Sequence, residues 1–205
     1  MRKKSHVSLA RFIVRNTDNE ELKNHRYSFY IGSILPDIKP SFVYRKHEID
    51  GTFPDLQERM KKMLEQIPGK EKYTRRDICR MGEISHYLAD YFTFPHNKEY
   101  PGSLKDHCTY EEELKQKLRN YLNTHEAAEN LRPKEFFAST ESLFEFINRS
   151  HREYLDGKHG VKHDIESIVE VNHQALEGFF DLLKRKEHKK RYIDTTGRNL
   201  HHGAA

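Results

Sequence analysis

The residues best suited to chemistry are histidines that precede a carboxylate by four positions. Four such pairs occur: His86–Asp90, His107–Glu111, His125–Glu129 and His173–Glu177. In an α-helix, residues four apart lie on the same face, one turn above each other. An imidazole and a carboxylate held in this way can reach one divalent ion, and zinc accepts both ligand types. Each pair is therefore a candidate part of a zinc site.

The surroundings of His86 and Asp90 distinguish this pair from the others. From Ile78 to Phe92 the sequence is mostly apolar, which predicts a largely buried helix. A buried Asp90 without a partner would be costly, and a divalent ion would remove that cost. The alternative is a buried His–Asp hydrogen bond that only orders the core. Gly82, one turn before His86, leaves room for another chain segment or an ion.

The pairs at 125–129 and 173–177 have ordinary interpretations. The first lies in the polar run NTHEAAEN. The second lies on the predicted last helix, where a local pair at the surface or at the edge of the core is the simpler interpretation. We therefore do not expect either pair to bind metal.

Other candidate ligands stand alone in the sequence. His96 follows Pro95, which fixes the backbone, so its side chain should project from a loop. His6 shares a face with apolar residues of the first predicted helix and should point inward. Asp37, in LPDIKP, and His47, in YRKHEIDG, belong to a long loop. Each has an ordinary alternative, such as turn formation for the aspartate.

Taken in order, these residues resemble the signature of the zinc-dependent phospholipase C family, over about residues 5–111. The matching positions are His6, Asp37, His47, His86, Asp90, His96, His107 and Glu111. The H-x3-D-x5-H spacing of the central motif agrees with the family. The gap from His96 to His107 is shorter than in the secreted members.

The resemblance implies two or three zinc ions per chain. One zinc would be held by Asp37, His47, His86 and Asp90, a second by His96, His107 and Glu111, and a third by His6 and a shared Asp90. In the secreted members an N-terminal tryptophan completes the third site with its amine and carbonyl, but this sequence contains no Trp. The implied activity is hydrolysis of phosphodiesters that releases phospholipid head groups, with Asp37 accepting a proton from the attacking water.

Three alternatives stay open at the level of sequence. The family's superfamily also contains single-strand nucleases, which need aromatic platforms for bases. Four aromatic residues could line either an acyl pocket or a base pocket: Tyr91, Phe92, Phe94 and Tyr100. A non-catalytic helical protein with structural metal is a second alternative. A phosphohydrolase of the HD type is a third, but the adjacent His-Asp pair that it needs, His163–Asp164, lies at the edge of the last predicted helix, far in sequence from the other ligands.

Helical periodicity dominates the elements that must position these side chains. We expect an all-α, single-domain bundle of about seven helices with a multinuclear metal site between them. The domain should span 1–193, followed by a disordered tail over 194–205. Specific expectations are a first helix capped by Ser5, a second from Thr17 to Gly32, one that begins at Pro133, and a last helix over about 164–188.

Composition limits the partners. The net charge is +4, which is too small an excess to indicate a nucleic-acid binder. The basic run KRKEHKKR, 184–191, could touch an anionic membrane transiently, although a solvated helix end is simpler. The N-terminus is a poor signal peptide, so we expect a cytoplasmic location. The expected partner is a phospholipid or another phosphodiester substrate, and the oligomeric state stays open.

Overall fold

The computed structural model describes residues 1–38, 48–67 and 73–199, with side chains up to residue 186. Within these ranges the chain forms nine α-helices and one 3₁₀ helix, and no strand. They are α1 Lys3–Asn16, α2 Glu20–Asn24, α3 Arg26–Gly32, α4 Ile49–Gln66, α5 Arg75–Tyr91, the 3₁₀ helix Phe94–His96, α6 Leu104–Tyr121, α7 His125–Glu129, α8 Thr140–Asp156 and α9 Val161–Asn199. The predicted all-α class is confirmed. The predicted domain boundary at residue 193 stays a prediction.

Helix α1 begins three residues earlier than predicted. Arg2 is its N-cap, and the Ser5 amide already donates to the Arg2 carbonyl oxygen, 2.8 Å away. Ser5 is 1 % exposed and lies inside the first turn, so it cannot act as the cap. The earlier start places Met1 directly before the helix, next to the residues described below.

The predicted helix from Thr17 to Gly32 is wrong in detail, because two short helices occupy this stretch and meet at His25. Asn19 caps α2 through its side chain, which accepts from the Leu22 amide at 3.0 Å. Thr17 instead donates its hydroxyl to Glu177 at 2.6 Å. This tertiary contact removes Thr17 from the capping role that its spacing indicated.

Helix α8 begins at Thr140, not at Pro133. Ser139 and Ser142 form a capping box at this point, with the Ser142 amide donating to the Ser139 hydroxyl. The preceding segment is held outside a helix by α9, since the Glu135 amide donates to the Gln174 side chain at 2.8 Å. The last helix is also longer than predicted and reaches Asn199.

Helix α5 lies at the centre of the fold and packs against α1, α3, α4 and α9. Thr74 and Asp77 form the capping box at its start. Its contact with α3 is made backbone to backbone at Gly32 and Gly82. A methyl group on Gly82 would overlap the Phe29 carbonyl oxygen and lie 2.8 Å from the Ser33 nitrogen. The space predicted beside Gly82 is therefore filled by α3.

Among the described residues, no helix is both long enough and apolar enough to span a bilayer.

Candidate metal centre

His6, His86 and Asp90 form the first ligand group. Each offers an atom within 4.8 Å of the others. The Nε2 atom of His86 lies 3.1 Å from Asp90 Oδ2, and the Nε2 atom of His6 lies 3.3 Å from Asp90 Oδ1. All three side chains are at most 1 % exposed. The i,i+4 pair on α5 therefore meets the histidine of α1 in a nearly dry environment.

The orientation of His86 is set by α3. Its Nδ1 atom donates to the Ser33 carbonyl oxygen at 2.9 Å. This leaves the Nε2 lone pair directed at Asp90, which is the arrangement found for metal-binding histidines. The Gly32–Gly82 contact makes this hydrogen bond possible, because it brings the end of α3 against α5. Sequence reasoning missed Ser33, since a backbone carbonyl carries no signal in the residue type.

His6 provides a test of whether a metal fits. Both ring nitrogens are buried and make no hydrogen bond. Burial, together with the stacked His86 ring at 3.9 Å, lowers the pKa of His6 to about 3. The imidazole is thus neutral at pH 7, the form that binds metal. A buried imidazole without a hydrogen bond beside a carboxylate fits a ligand better than a core residue.

His96, His107 and Glu111 form the second ligand group, at the 3₁₀ helix and the start of α6. Glu111 Oε1 lies 3.1 Å from His96 Nε2 and 3.3 Å from His107 Nε2. Burial alone would raise the pKa of Glu111, but hydrogen bonds from His107 and His96 hold it well below its usual range. The predicted i,i+4 pair and His96 do come together, although His96 ends a 3₁₀ helix where a loop was predicted.

Asp90 lies between the two groups. Its Oδ1 faces His6, whereas its Oδ2 faces His86 and lies 4.0 Å from His96 Nδ1. Burial would raise its pKa, but the Met1 ammonium group and the nearby histidines hold the pKa of Asp90 well below its usual value. A charged carboxylate in this position can serve both groups.

The Met1 amino group was missed by the sequence reasoning. It lies 2.5 Å from Asp90 Oδ1, 2.8 Å from His96 Nε2 and 3.2 Å from Glu111 Oε1. Three potential metal ligands therefore surround the positively charged Met1 ammonium group. This convergence shows that the donor set suits a cation.

Asp37 and His47 were predicted to join the first group. Asp37 Oδ1 lies 3.6 Å from His86 Nε2, so this carboxylate reaches the group. His47 lies outside the described residues.

A family model for zinc dependent phospholipase C matches residues 5–161, most of the chain. The chain belongs to the zinc-dependent phospholipase C family. Neither the comparison with curated proteins nor that with solved structures returned a match. Membership agrees with the donor set, since imidazole and carboxylate ligands without thiolates suit zinc.

The remaining His–carboxylate pairs of this phospholipase C family member lie apart from the two ligand groups. Glu177 accepts from Thr17 and pairs with Lys134 at 2.9 Å. His125 is exposed on α7. His163 stacks on Tyr154, at 5.1 Å between ring centroids. Within the described part of the chain, the candidate metal-binding groups contain none of these side chains.

A cavity of about 1200 Å³ opens over the second ligand group. Asp37, His96, His107 and Glu111 line it. Its other charged lining residues are mostly basic: Arg2, Lys3, Lys4, Lys98 and Lys115, with Glu48. Tyr100 and Leu104 supply apolar surface, and Leu104 is 80 % exposed. Its size suits a small ligand or a head group.

The aromatic residues predicted to line this pocket behave differently from one another. Tyr100 does line the cavity. Tyr91 and Phe92 are fully buried in the core and cannot form a platform for bases or acyl chains. Phe94 is 8 % exposed and packs edge-on against Tyr100. The prediction was wrong for Tyr91 and Phe92 because α5 turns them away from the cavity and into the bundle.

Proposed function

We propose that this family member hydrolyses phosphodiesters and releases the head group of phospholipids. The observation that carries the proposal is the meeting of two ligand groups at Asp90, beneath a cavity with basic walls. Water adds to the phosphorus, the bond from phosphorus to the glycerol oxygen breaks, and a proton passes to that oxygen. The products are diacylglycerol and a phosphorylated head group.

The side chains that would hold zinc follow the two groups. Asp37, His47, His86 and Asp90 would hold one ion, His96, His107 and Glu111 a second, and His6 with the shared Asp90 a third. Bound zinc supplies Lewis acidity and lowers the pKa of a coordinated water. The protein's part is to fix these ligands in a dry pocket, which the burial of His6, His86 and Asp90 supports.

Asp37 is the proposed proton acceptor. It lines the cavity and lies within 3.6 Å of His86 Nε2, so it can face both the ligands and the substrate. A carboxylate at the edge of a site can accept a proton from attacking water. Replacement of Asp37 by Asn should lower turnover more than it lowers zinc content, whereas loss of zinc in proportion to activity would assign it a ligand role alone.

The cavity lining supports an anionic lipid-like substrate. Lys3 and Lys4 are exposed and can attract a phosphate or an anionic head group. Leu104, at the N-terminal end of α6, presents an apolar side chain beside the same cavity. Phosphodiester and apolar chain are the two parts of a phospholipid, and the cavity offers surface for each.

The test combines metal content with substrate preference. Native mass spectrometry should find two or three zinc ions per wild-type chain, and vesicles of phosphatidylcholine should release diacylglycerol. Replacement of His96 by Ala should reduce both. His125→Ala is the matched control, since His125 also precedes a carboxylate by four positions but lies outside the cluster, and it should change neither.

Three outcomes would contradict parts of this proposal. Faster cleavage of single-stranded DNA than of phospholipid would replace the lipase function by a nuclease function. Bound zinc without turnover of any phosphodiester would indicate structural metal. Unchanged zinc content in His96→Ala would show that the ligand assignment is wrong.

A further inference from the structure

Asp164 lies in the first turn of α9, three residues beyond the segment that the family model matches. Its side chain is fully buried. Its carboxylate accepts from three neutral donors: the Phe94 amide at 3.0 Å, the Tyr110 hydroxyl at 2.9 Å and the Tyr154 hydroxyl at 2.8 Å. Burying a carboxylate is costly even when it is hydrogen-bonded, so the burial of Asp164 needs a structural or functional explanation.

The three donors come from three different elements. Phe94 begins the 3₁₀ helix, Tyr110 lies on α6, and Tyr154 lies on α8. Asp164 itself belongs to α9, so one carboxylate joins four elements. An apolar residue of similar size could fill the space but could not fix the direction of each donor.

Two of these donors lie next to the second ligand group. Phe94 is two residues before His96 and starts the turn that carries it. Tyr110 directly precedes Glu111 on α6. Fixing the Tyr110 hydroxyl limits rotation of α6 about its axis, and therefore limits where Glu111 can point.

Aromatic contacts extend the same constraint to His107. The Tyr100 ring packs edge-on against Phe94 at 5.4 Å, against Tyr110 at 6.2 Å and against His107 at 6.3 Å between centroids. The contacts held by Asp164 thus reach His107 through Tyr100, which also lines the cavity.

We propose that Asp164 is a positioning residue that sets the geometry of the His96, His107 and Glu111 zinc site through Phe94 and Tyr110. The inference rests on the proposed function, because it assumes that this group binds zinc. It gives a role to a buried carboxylate that is not itself among the candidate ligands.

The experiment measures zinc affinity by competition with a chelator, and the visible spectrum of the cobalt-substituted protein. Asp164→Asn keeps the shape but places an amide donor against two hydroxyls and an amide. Supporting groups of this kind change metal affinity by roughly 10–100-fold. Among the described residues, Asp164 contacts no proposed ligand directly, so we expect an effect at the lower end of that range. The zinc held by His96, His107 and Glu111 should be lost about tenfold more readily, with an altered cobalt spectrum.

The two tyrosines supply the matched comparison. Tyr110→Phe and Tyr154→Phe each remove one hydroxyl donor to Asp164, but only Tyr110 adjoins a proposed ligand. We expect Tyr110→Phe to weaken zinc binding and shift the cobalt spectrum, whereas Tyr154→Phe should leave both near wild type. If Asp164→Asn does not fold, the comparison of the two tyrosine variants still tests the positioning role of Asp164.

Three results would contradict the positioning role of Asp164 or the proposed function on which it rests. Equal zinc affinity and equal spectra in Asp164→Asn and wild type would overturn the positioning role while leaving the proposed function intact. An equal loss of zinc in Tyr110→Phe and Tyr154→Phe would show that Asp164 acts on the fold in general. A wild-type chain that binds no zinc would overturn the proposed function itself.

Discussion

The Nε2 atom of His86 lies 3.1 Å from the Oδ2 atom of Asp90, and neither side chain is exposed. The other ring nitrogen of His86 is engaged by the Ser33 carbonyl. The other carboxylate oxygen of Asp90 faces His6 and Met1. The pair is therefore held from both sides.

Replacing Asp90 by Asn should remove at least one zinc and lower turnover by roughly a thousandfold, because metal stabilisation of transition-state charge is worth several kcal/mol. Zinc content and diacylglycerol release measure the two effects. The matched control is Glu129→Gln, which neutralises the carboxylate of a pair with the same spacing on α7. Full zinc content in Asp90→Asn would contradict the linking role of Asp90.

Replacing Gly82 by Ala should separate α3 from α5, because the added methyl group overlaps the Phe29 carbonyl. Overpacking of this kind lowers the free energy of unfolding by roughly 1–3 kcal/mol. Zinc affinity should fall as well, since Ser33 moves away from His86. Chemical denaturation and chelator competition measure these changes.

The control for that substitution is Gly51→Ala on α4, where a methyl group would meet nothing within 4 Å. It should raise the free energy of unfolding by up to about 1 kcal/mol, because alanine favours helix over glycine. Two results would contradict the proposed role of the close contact between α3 and α5. One is a Gly82→Ala variant as stable as wild type, and the other is a Gly51→Ala variant that is destabilised.

His151 should make the stability of the metal-free protein depend on pH. Burial lowers its pKa, and its Nε2 donates to the Asn97 side-chain oxygen at 2.8 Å. The unfolded state therefore binds a proton first as the pH falls below about 6.5, so the free energy of unfolding decreases. The contribution is at most about 1.4 kcal/mol per pH unit.

His151→Gln should remove that part of the slope. Urea denaturation of the chelator-treated wild type and variant between pH 7.5 and 5.5 measures the difference, and treatment with chelator removes any effect of zinc release. Parallel curves for the two proteins would show that His151 titrates alike in both states.

Zinc should stabilise the fold, because it binds the native arrangement of ligands that lie far apart in the sequence. At a free concentration one hundred times its dissociation constant, one ion adds about 2.7 kcal/mol. The melting temperature should therefore fall after chelation and recover with added zinc. In Asp90→Asn the recovery should be smaller, and equal shifts in both proteins would place the stabilising zinc elsewhere.

Leu104 should matter more for substrate in membranes than for dissolved substrate. Its exposed side chain stands beside the cavity, so Leu104→Glu should slow hydrolysis of vesicles by several-fold and slow hydrolysis of a short-chain monomeric phospholipid less. Phe136→Glu is the control, since Phe136 is 76 % exposed and does not line the cavity. Equal losses on both substrates would indicate damage to the site.

Much of the site was accessible from the sequence because its ligands carry their own chemistry and follow helical spacing. His86–Asp90 and His107–Glu111 lie on helices as predicted, and His96 lies just after Pro95. The i,i+4 rule fixes distance along one helix. This rule alone could not exclude His173–Glu177 as a metal-binding pair. In the structure, the Glu177 carboxylate contacts Thr17 and Lys134 instead.

The parts that were missed depend on contacts between distant segments. Ser33 acts through its backbone carbonyl, and Met1 acts through its amino group. Asp164 was interpreted as half of an adjacent His-Asp pair, but its carboxylate accepts from the Tyr154 hydroxyl, whereas the His163 Nε2 atom lies 3.2 Å from the Tyr154 carbonyl oxygen. The same limit explains the wrongly predicted helix starts, since the Thr17 hydroxyl donates to Glu177 instead of capping a helix.

The ligands come from α1, from the segment after α3, and from α5 and α6, so an ion at Asp90 would join the first helix to the middle of the chain. Such an ion is a reversible cross-link, and closing a long loop restricts the chain most strongly before it folds. Backbone amides of α1 would then exchange with deuterium more slowly in the zinc-loaded protein than in the metal-free one. Zinc occupancy would in this way set how readily a protease cleaves the N-terminal helix.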